Sequence, residues 1–139
     1  MALDTTMEHA DGRVPITVLA LDGELDASNF QDLVATVMAR YEAGDRHLLL
    51  DLAGLRFMAS SGLVALHSIV RIFQGQAPDD PEAGWGALHD LGHDVSGGGP
   101  QSAVQLCSPQ PPVERVLDRT GMSRLFVVHP DRAAAIAAF

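Results

Sequence analysis

The sequence predicts an α/β fold, in which one domain spans residues 1–139 and is built on a mixed, largely parallel sheet of about five strands with about four helices. Its length suits a single domain, and its 47% hydrophobic and 19% charged residues are enough to bury a core. Apolar runs typical of strands alternate with segments of helical periodicity in the order ββαβαβαβα. Such alternation is typical of parallel strands joined by right-handed crossovers.

The first two strands are predicted to form a hairpin. Asp11-Gly12 is a turn signal. The apolar, β-branched run at residues 14–21 that follows it indicates a buried strand. Residues 3–9 before the turn are a candidate edge strand that pairs with it.

Two helices and a second buried strand come next. The first helix is predicted between a cap near Ser28 and a stop at Gly44. Residues 47–52 indicate the buried strand, and the second helix is predicted to begin near residues 60–62. The inward positions of the two helices are Phe30, Leu33, Val34, Val37 and Tyr41, and then Leu63, Leu66, Val70 and Phe73.

The C-terminal part repeats the alternation. Residues 104–107 and 125–128 are predicted strands. Between them, Pro112 is predicted to open a helix that ends at Gly121, because proline favours the first turn and glycine the C-terminal cap. Pro130 is predicted in the first turn of the alanine-rich closing helix.

Residues 75–102 differ from the rest of the chain. They contain ten glycines or prolines in 28 residues, with five acids and no base. Because these residues interrupt regular structure, we expect an acidic loop inserted between the second helix and the fourth strand. Since the loop leaves the far end of the second helix, we expect it at the opposite pole of the sheet from residue 60.

Charge and composition exclude several function classes. The net charge is −9, and all nine bases are arginine. A chain of this charge without a basic cluster is unsuited to direct contact with nucleic acid or anionic membranes. The single Cys107 cannot close an internal disulfide. The first nine residues carry acids where a signal peptide has bases, and no apolar run is longer than seven residues, too short to span a membrane. We therefore expect a cytoplasmic protein without membrane insertion.

Two histidines of the inserted loop are candidate metal ligands. His89 and His93 are four residues apart and could share a helical face, but Gly92 opposes a helix there. We therefore favour a solvated acidic loop, in which Trp85 docks on the domain or on a partner. No phosphate loop, carboxylate pair or zinc spacing occurs, so we expect neither an enzyme nor a bound cofactor.

Ser60-Ser61-Gly62 lies where the second buried strand gives way to a helix. Sites in such sheets gather beyond the carboxyl ends of the strands, and a helix N-terminus accommodates a phosphate well. On spacing alone, a serine pair before a helix is more typical of a helix cap.

Motifs along the chain, taken in order, carry a family resemblance. Residues 21–26 read Leu-Asp-Gly-Glu-Leu-Asp, and residues 49–63 end in Met-Ala-Ser-Ser-Gly-Leu. Ser108-Pro109, residues 113–117 and Thr120-Gly121-Met122 complete the set. In this order they resemble the STAS domain, specifically the bacterial anti-sigma factor antagonists, over about residues 14–74 and 103–130.

The resemblance implies a switch protein that is not an enzyme. Ser60 would be phosphorylated by an anti-sigma factor that is a serine kinase of the ATP-binding type, and a serine phosphatase would reset it. Ser61 is the second choice of acceptor. The unmodified form would bind the anti-sigma factor and free the sigma factor. The implied partner-binding residues are Gly23, Glu24, Asp26, Ser28, Ser60, Ser61, Gly62 and Leu63, with residues 23–26 forming a turn beside the acceptor.

The chain departs from the family pattern at Ala59, where the family commonly has aspartate. This departure leaves two alternatives open. One is an unphosphorylated scaffold subunit of a signalling complex, and the other is an accessory subunit of a lipid-transport ATPase of the ABC type. A homodimer is compatible with each of these functions.

Overall fold

The computed structural model describes residues 2–78 and 101–139. Within them, five strands and four α-helices follow the predicted order ββαβαβαβα, which is confirmed. The predicted insertion is described only at its two ends. The described residues do not include the candidate metal ligands His89 and His93, nor Trp85. The predicted position of the loop, at the opposite pole of the sheet from residue 60, therefore stays a prediction.

The sheet begins with an antiparallel hairpin. Strand β1 (Leu3–Asp11) pairs with β2 (Pro15–Leu25), from Asp11 opposite Pro15 to Leu3 opposite Gly23. The predicted turn at Asp11-Gly12 is therefore confirmed. Strand β2 continues past its predicted end at residue 21, so it carries the chain further toward the candidate site.

The remaining strands pair in parallel. They are β3 (Leu48–Met58), β4 (Gln101–Cys107) and β5 (Phe126–His129), and the sheet order is β1-β2-β3-β4-β5. The β3–β4 pairing ends at Asp51 opposite Cys107, whereas β2 and β3 pair as far as Leu25 opposite Met58. Residues 22–25 and 54–58 thus extend beyond the β3–β4 pairing, and we call them the β2–β3 ribbon.

Alternate residues of the strands point to opposite faces of the sheet and pack into two hydrophobic cores. The larger core holds Leu48 and Leu50, with the inward faces of helices α1 (Phe30–Glu42), α2 (Ser60–Phe73) and α3 (Pro111–Thr120). Leu49 points to the opposite face and packs with α4 (Arg132–Ala138). Three helices therefore cover one face of the sheet and the closing helix covers part of the other.

The helix ends correct several predictions. Asn29, not Ser28, precedes α1. Helix α3 begins at Pro111, one residue before the predicted Pro112, and ends as expected at Gly121, whose φ of 76° is left-handed. Pro130 lies before α4 and outside its first turn, because Asp131 caps that helix by accepting a hydrogen bond from the N–H of Ala134.

An ion-pair network fastens α4 to the sheet. The guanidinium of Arg132 donates to Oδ2 of Asp51 at 2.8 and 3.1 Å and also contacts the carboxylate of Glu8. Asp51 is nearly buried, and its other oxygen accepts from the N–H of Ala53. The network joins β1, β3 and α4, and it lies beside Cys107, which is fully buried.

The lengths and polarity of the helices bear on membrane insertion. Across residues 2–78 and 101–139, no helix is both long enough and apolar enough to cross a bilayer.

Candidate functional site

Ser60 is placed by the end of the β2–β3 ribbon. Strand β3 ends at Met58, and the N–H of Ala59 donates a 2.9 Å hydrogen bond to the carbonyl oxygen of Leu25. Ala59 is extended, and Ser60 is the first residue of α2. Asp26 follows β2 and Ser60 follows β3, so the two residues lie at the same end of the ribbon.

The two serines have different environments. Ser60 is exposed, whereas Oγ of Ser61 is buried and has no hydrogen-bond partner within the described residues. Neither side chain caps α2, because the capping position belongs to Ala59. The capping interpretation of the serine pair is therefore wrong, and Ser60 carries the hydroxyl that a modifying enzyme can reach.

Gly62 and Leu63 are buried beneath this surface. A Cβ on Gly62 would lie 2.3 Å from Cγ of Met58 and 3.1 Å from Cδ2 of Leu25, so the glycine lets α2 start close against the ribbon. Leu63 is 4% exposed and belongs to the larger core. Neither residue presents an exposed side chain, and their expected place in the partner-binding surface stays a prediction.

Asp26 organises the turn between β2 and α1. Its Oδ1 accepts hydrogen bonds from the N–H of Ser28 at 2.9 Å and from the hydroxyl of Ser28 at 2.5 Å. These hydrogen bonds, the side-chain one foremost, hold the pKa of Asp26 below its usual value of 3.8. Asn29 braces the turn, since its side chain accepts from the N–H of Asp26 and donates to the carbonyl of Glu24. The turn thus presents a carboxylate that stays ionised at neutral pH.

Gly23 and Glu24 belong to β2 and not to the expected turn, which begins at Asp26. Gly23 is buried with a φ of 120°, and a Cβ there would lie 2.2 Å from the carbonyl oxygen of Ala2. The N–H of Glu24 donates to the same oxygen at 3.2 Å. Oε2 of Glu24 is buried without a hydrogen-bond partner in the described part of the chain. Ala2, the residue before β1, therefore helps to hold the ribbon in place.

The structure adds Phe57 to the candidate surface. Its side chain is 47% exposed on the ribbon, opposite Glu24, three residues before Ser60. Beside it, Arg56 lies 3.7 Å from Asp22 in an exposed ion pair. Sequence periodicity missed Phe57, because the register shifts in the ribbon break the two-residue alternation that predicts which side chains face outward.

Three other titratable side chains are buried or lie within hydrogen-bond distance of another side chain. Burial, followed by the nearby Asp51, raises the pKa of Cys107 to about 11. His67 is buried in α2, and Nε2 of His129 lies 2.6 Å from Oε1 of Gln105. Among the described residues, no three His, Cys, Asp or Glu side chains come together as a metal site.

Comparison with known proteins identifies the family of this chain. The family model of the STAS domain matches residues 7–77. A Bordetella bronchiseptica protein, BtrV, named for a proposed role as an anti-sigma factor antagonist, is 26% identical over 134 residues, which cover 96% of this chain and 92% of BtrV.

Two solved structures share the fold. An anti-sigma factor antagonist from Mycobacterium paratuberculosis superposes with a TM-score of 0.69 at 20% identity, covering 99% of this chain and 93% of that one. The Bacillus cell fate determinant SpoIIAA in its phosphorylated form superposes with a TM-score of 0.55 at 18% identity, covering 97% and 98%. Because the family model matches more than half of its residues, the chain belongs to the STAS domain family.

Proposed function

We propose that this protein is an anti-sigma factor antagonist, a binding module that acts on transcription through a protein partner. The observation that carries the proposal is the placement of Ser60, an exposed hydroxyl at the first position of α2 beside the Asp26 turn. The role named for BtrV, which aligns over nearly the whole chain, supports the same function.

Phosphorylation of Ser60 is the proposed control. A phosphate adds a charge of about −1.5 to −2 and is well accommodated by the free N–H groups of a helix N-terminus. It would stand beside the ionised Asp26, so the same surface would bring two anionic groups to a partner contact. The modification would therefore leave the fold intact and oppose binding.

The chemistry of the switch implies its partners. We infer an anti-sigma factor that is also a serine kinase of the ATP-binding type, and a serine phosphatase that removes the phosphate. The Bacillus relative with this fold has a phosphorylated form, which supports the inference. We place the exchange in the cytoplasm as part of the same proposal.

Ala59 favours a second candidate function. The residue before the acceptor is commonly aspartate in the family, and here no carboxylate precedes Ser60. The alternative is a constitutive module, either a scaffold subunit or an accessory subunit of a lipid-transport ATPase, in which Ser60 stays unmodified.

Phosphosite mapping separates these functions. The protein is incubated with ATP and its cognate kinase-type anti-sigma factor, and the modified residue is located by mass spectrometry. We expect one phosphate on the wild type and on Ser61→Ala, and none on Ser60→Ala. Absence of labelling, together with normal binding by Ser60→Asp, would eliminate the switch. A pull-down that recovers an oligomer or an ATPase subunit would then support the constitutive module.

A further inference from the structure

A groove runs between α3 and the edge strand β5, on the flank of the sheet away from β1. It encloses about 230 Å³, and we call it the α3–β5 groove. Its apolar lining comes from Leu117 and Phe126, which are buried, and from Val128, which is 39% exposed. Within the described residues β5 is the last strand of the sheet, so the exposed Val128 beside the groove is apolar surface available for a partner.

The charged side of the groove comes from α3. Glu114 and Asp118 line it, and they share one helical face because they are four residues apart. Within the described residues, neither carboxylate has a hydrogen bond or an ion pair. Arg115 and Arg119 are each one position further along, about 100° around the helix, and no base is among the residues that line the groove. The groove therefore joins an apolar lining to two unpaired negative charges.

The dimensions and charge select one kind of occupant. At about 230 Å³ the groove is smaller than the roughly 300–1,000 Å³ typical of small-molecule sites. An anion is excluded by the two carboxylates and by the net charge of −9. An arginine or lysine side chain satisfies both features, because its aliphatic stem packs on apolar surface while its charged end reaches the carboxylates.

We propose that the α3–β5 groove docks a basic side chain of a partner protein, as a contact separate from the Ser60 surface. Charge complementarity carries the proposal, and it does not depend on antagonism of an anti-sigma factor. Docking there would add affinity that phosphorylation of Ser60 leaves unchanged, because the groove lies at β5 and Ser60 follows β3.

A peptide titration followed by NMR tests the proposal. The probe is the blocked peptide Gly-Arg-Gly, and its uncharged analogue carries norleucine in place of arginine. We expect the arginine peptide to shift the signals of Leu117, Phe126 and Val128. Removing both charges with Glu114→Gln and Asp118→Asn should weaken its binding about fivefold. The norleucine peptide should bind as weakly as the arginine peptide binds that double variant.

A matched control keeps the test specific. Asp11→Asn with Glu42→Gln removes the same charge from exposed positions outside the groove, and this variant should bind like the wild type. Equal binding of the arginine and norleucine peptides would overturn the proposal, and so would shifts spread over the whole acidic surface. If the wild type sediments as a dimer and the groove variant as a monomer, the occupant is a second copy and a separate partner is ruled out.

Discussion

The N–H of Ala59 donates a 2.9 Å hydrogen bond to the carbonyl oxygen of Leu25. This bond continues the pairing of β2 with β3 by one step past Leu25 and Met58. It holds the residue before Ser60 against the residue before Asp26, so the proposed acceptor and the ionised carboxylate lie at one end of the sheet.

The exposed ring of Phe57 should anchor the partner. Phe57→Thr keeps a residue that favours strands, so the free energy of unfolding should change by less than about 0.5 kcal/mol. Calorimetric titration with the anti-sigma factor should show affinity about tenfold lower, as expected for an aromatic contact near the centre of an interface. Met7→Thr is the matched control, because Met7 is 41% exposed on the edge strand β1. Equal effects of the two variants would show that Phe57 has no special role.

Gly62 should be required for the close start of α2. In Gly62→Ala the new Cβ would lie 2.3 Å from Cγ of the buried Met58. We expect urea denaturation to show a loss of about 1–2 kcal/mol, because crowding outweighs the better helix propensity of alanine. Repeating the change in a Met58→Ala background removes the obstructing atom. There the loss should disappear, and an equal loss in both backgrounds would contradict the packing argument.

Substitution of Gly23 should destabilise the protein for two reasons, its backbone conformation and its close neighbour. Gly44 shares only the first of these and so separates them. Both glycines have positive φ, 120° and 107°, but only Gly23 lies against a neighbour, the carbonyl oxygen of Ala2. Gly44→Ala should therefore cost about 1 kcal/mol for backbone strain. Gly23→Ala should cost about 2–4 kcal/mol, because the collision adds to that strain. Chemical denaturation measures both losses, and similar losses would mean that Ala2 does not support the ribbon.

The raised pKa of Cys107 predicts that the stability of the protein depends on pH. Its pKa rises from 9.0 to about 11 in the folded protein, so the folded state keeps the proton that the unfolded state releases. The stabilisation is complete below pH 9 and is lost as the pH rises through 11. Urea unfolding at several pH values should therefore show a steeper alkaline decline for the wild type than for Cys107→Ala. Parallel declines would show that the thiol is not involved.

The order of elements was predictable because the signals behind it are local. Asp11-Gly12 and Gly121 ended their elements as expected, and the apolar runs marked the strands. The lengths of β2 and β3 were not predictable. Their last residues leave the apolar pattern, and pairing between the two strands, not hydrophobic periodicity, keeps them extended.

The candidate site, like the fold, was only partly predictable from the sequence. The resemblance brought Ser60 and Asp26 into one surface, and their exposure and hydrogen bonds are consistent with that role. It also included Leu63, whose side chain is in the core. A motif identifies neighbours along the chain, but which of them reaches solvent depends on tertiary packing. Phe57 was missed for that reason, since only the irregular ribbon turns its ring outward.

The affinity of the anti-sigma factor for two forms of this protein tests the central claim most directly. Unmodified and Ser60-phosphorylated protein are compared by calorimetric titration under identical salt, with Ser60→Ala as the unmodifiable reference. An added charge of about −1.5 to −2 beside Asp26 should lower the affinity on the order of a hundredfold, and Ser60→Ala should bind like the unmodified form. Equal affinity of the phosphorylated and unmodified forms would contradict a switch at Ser60.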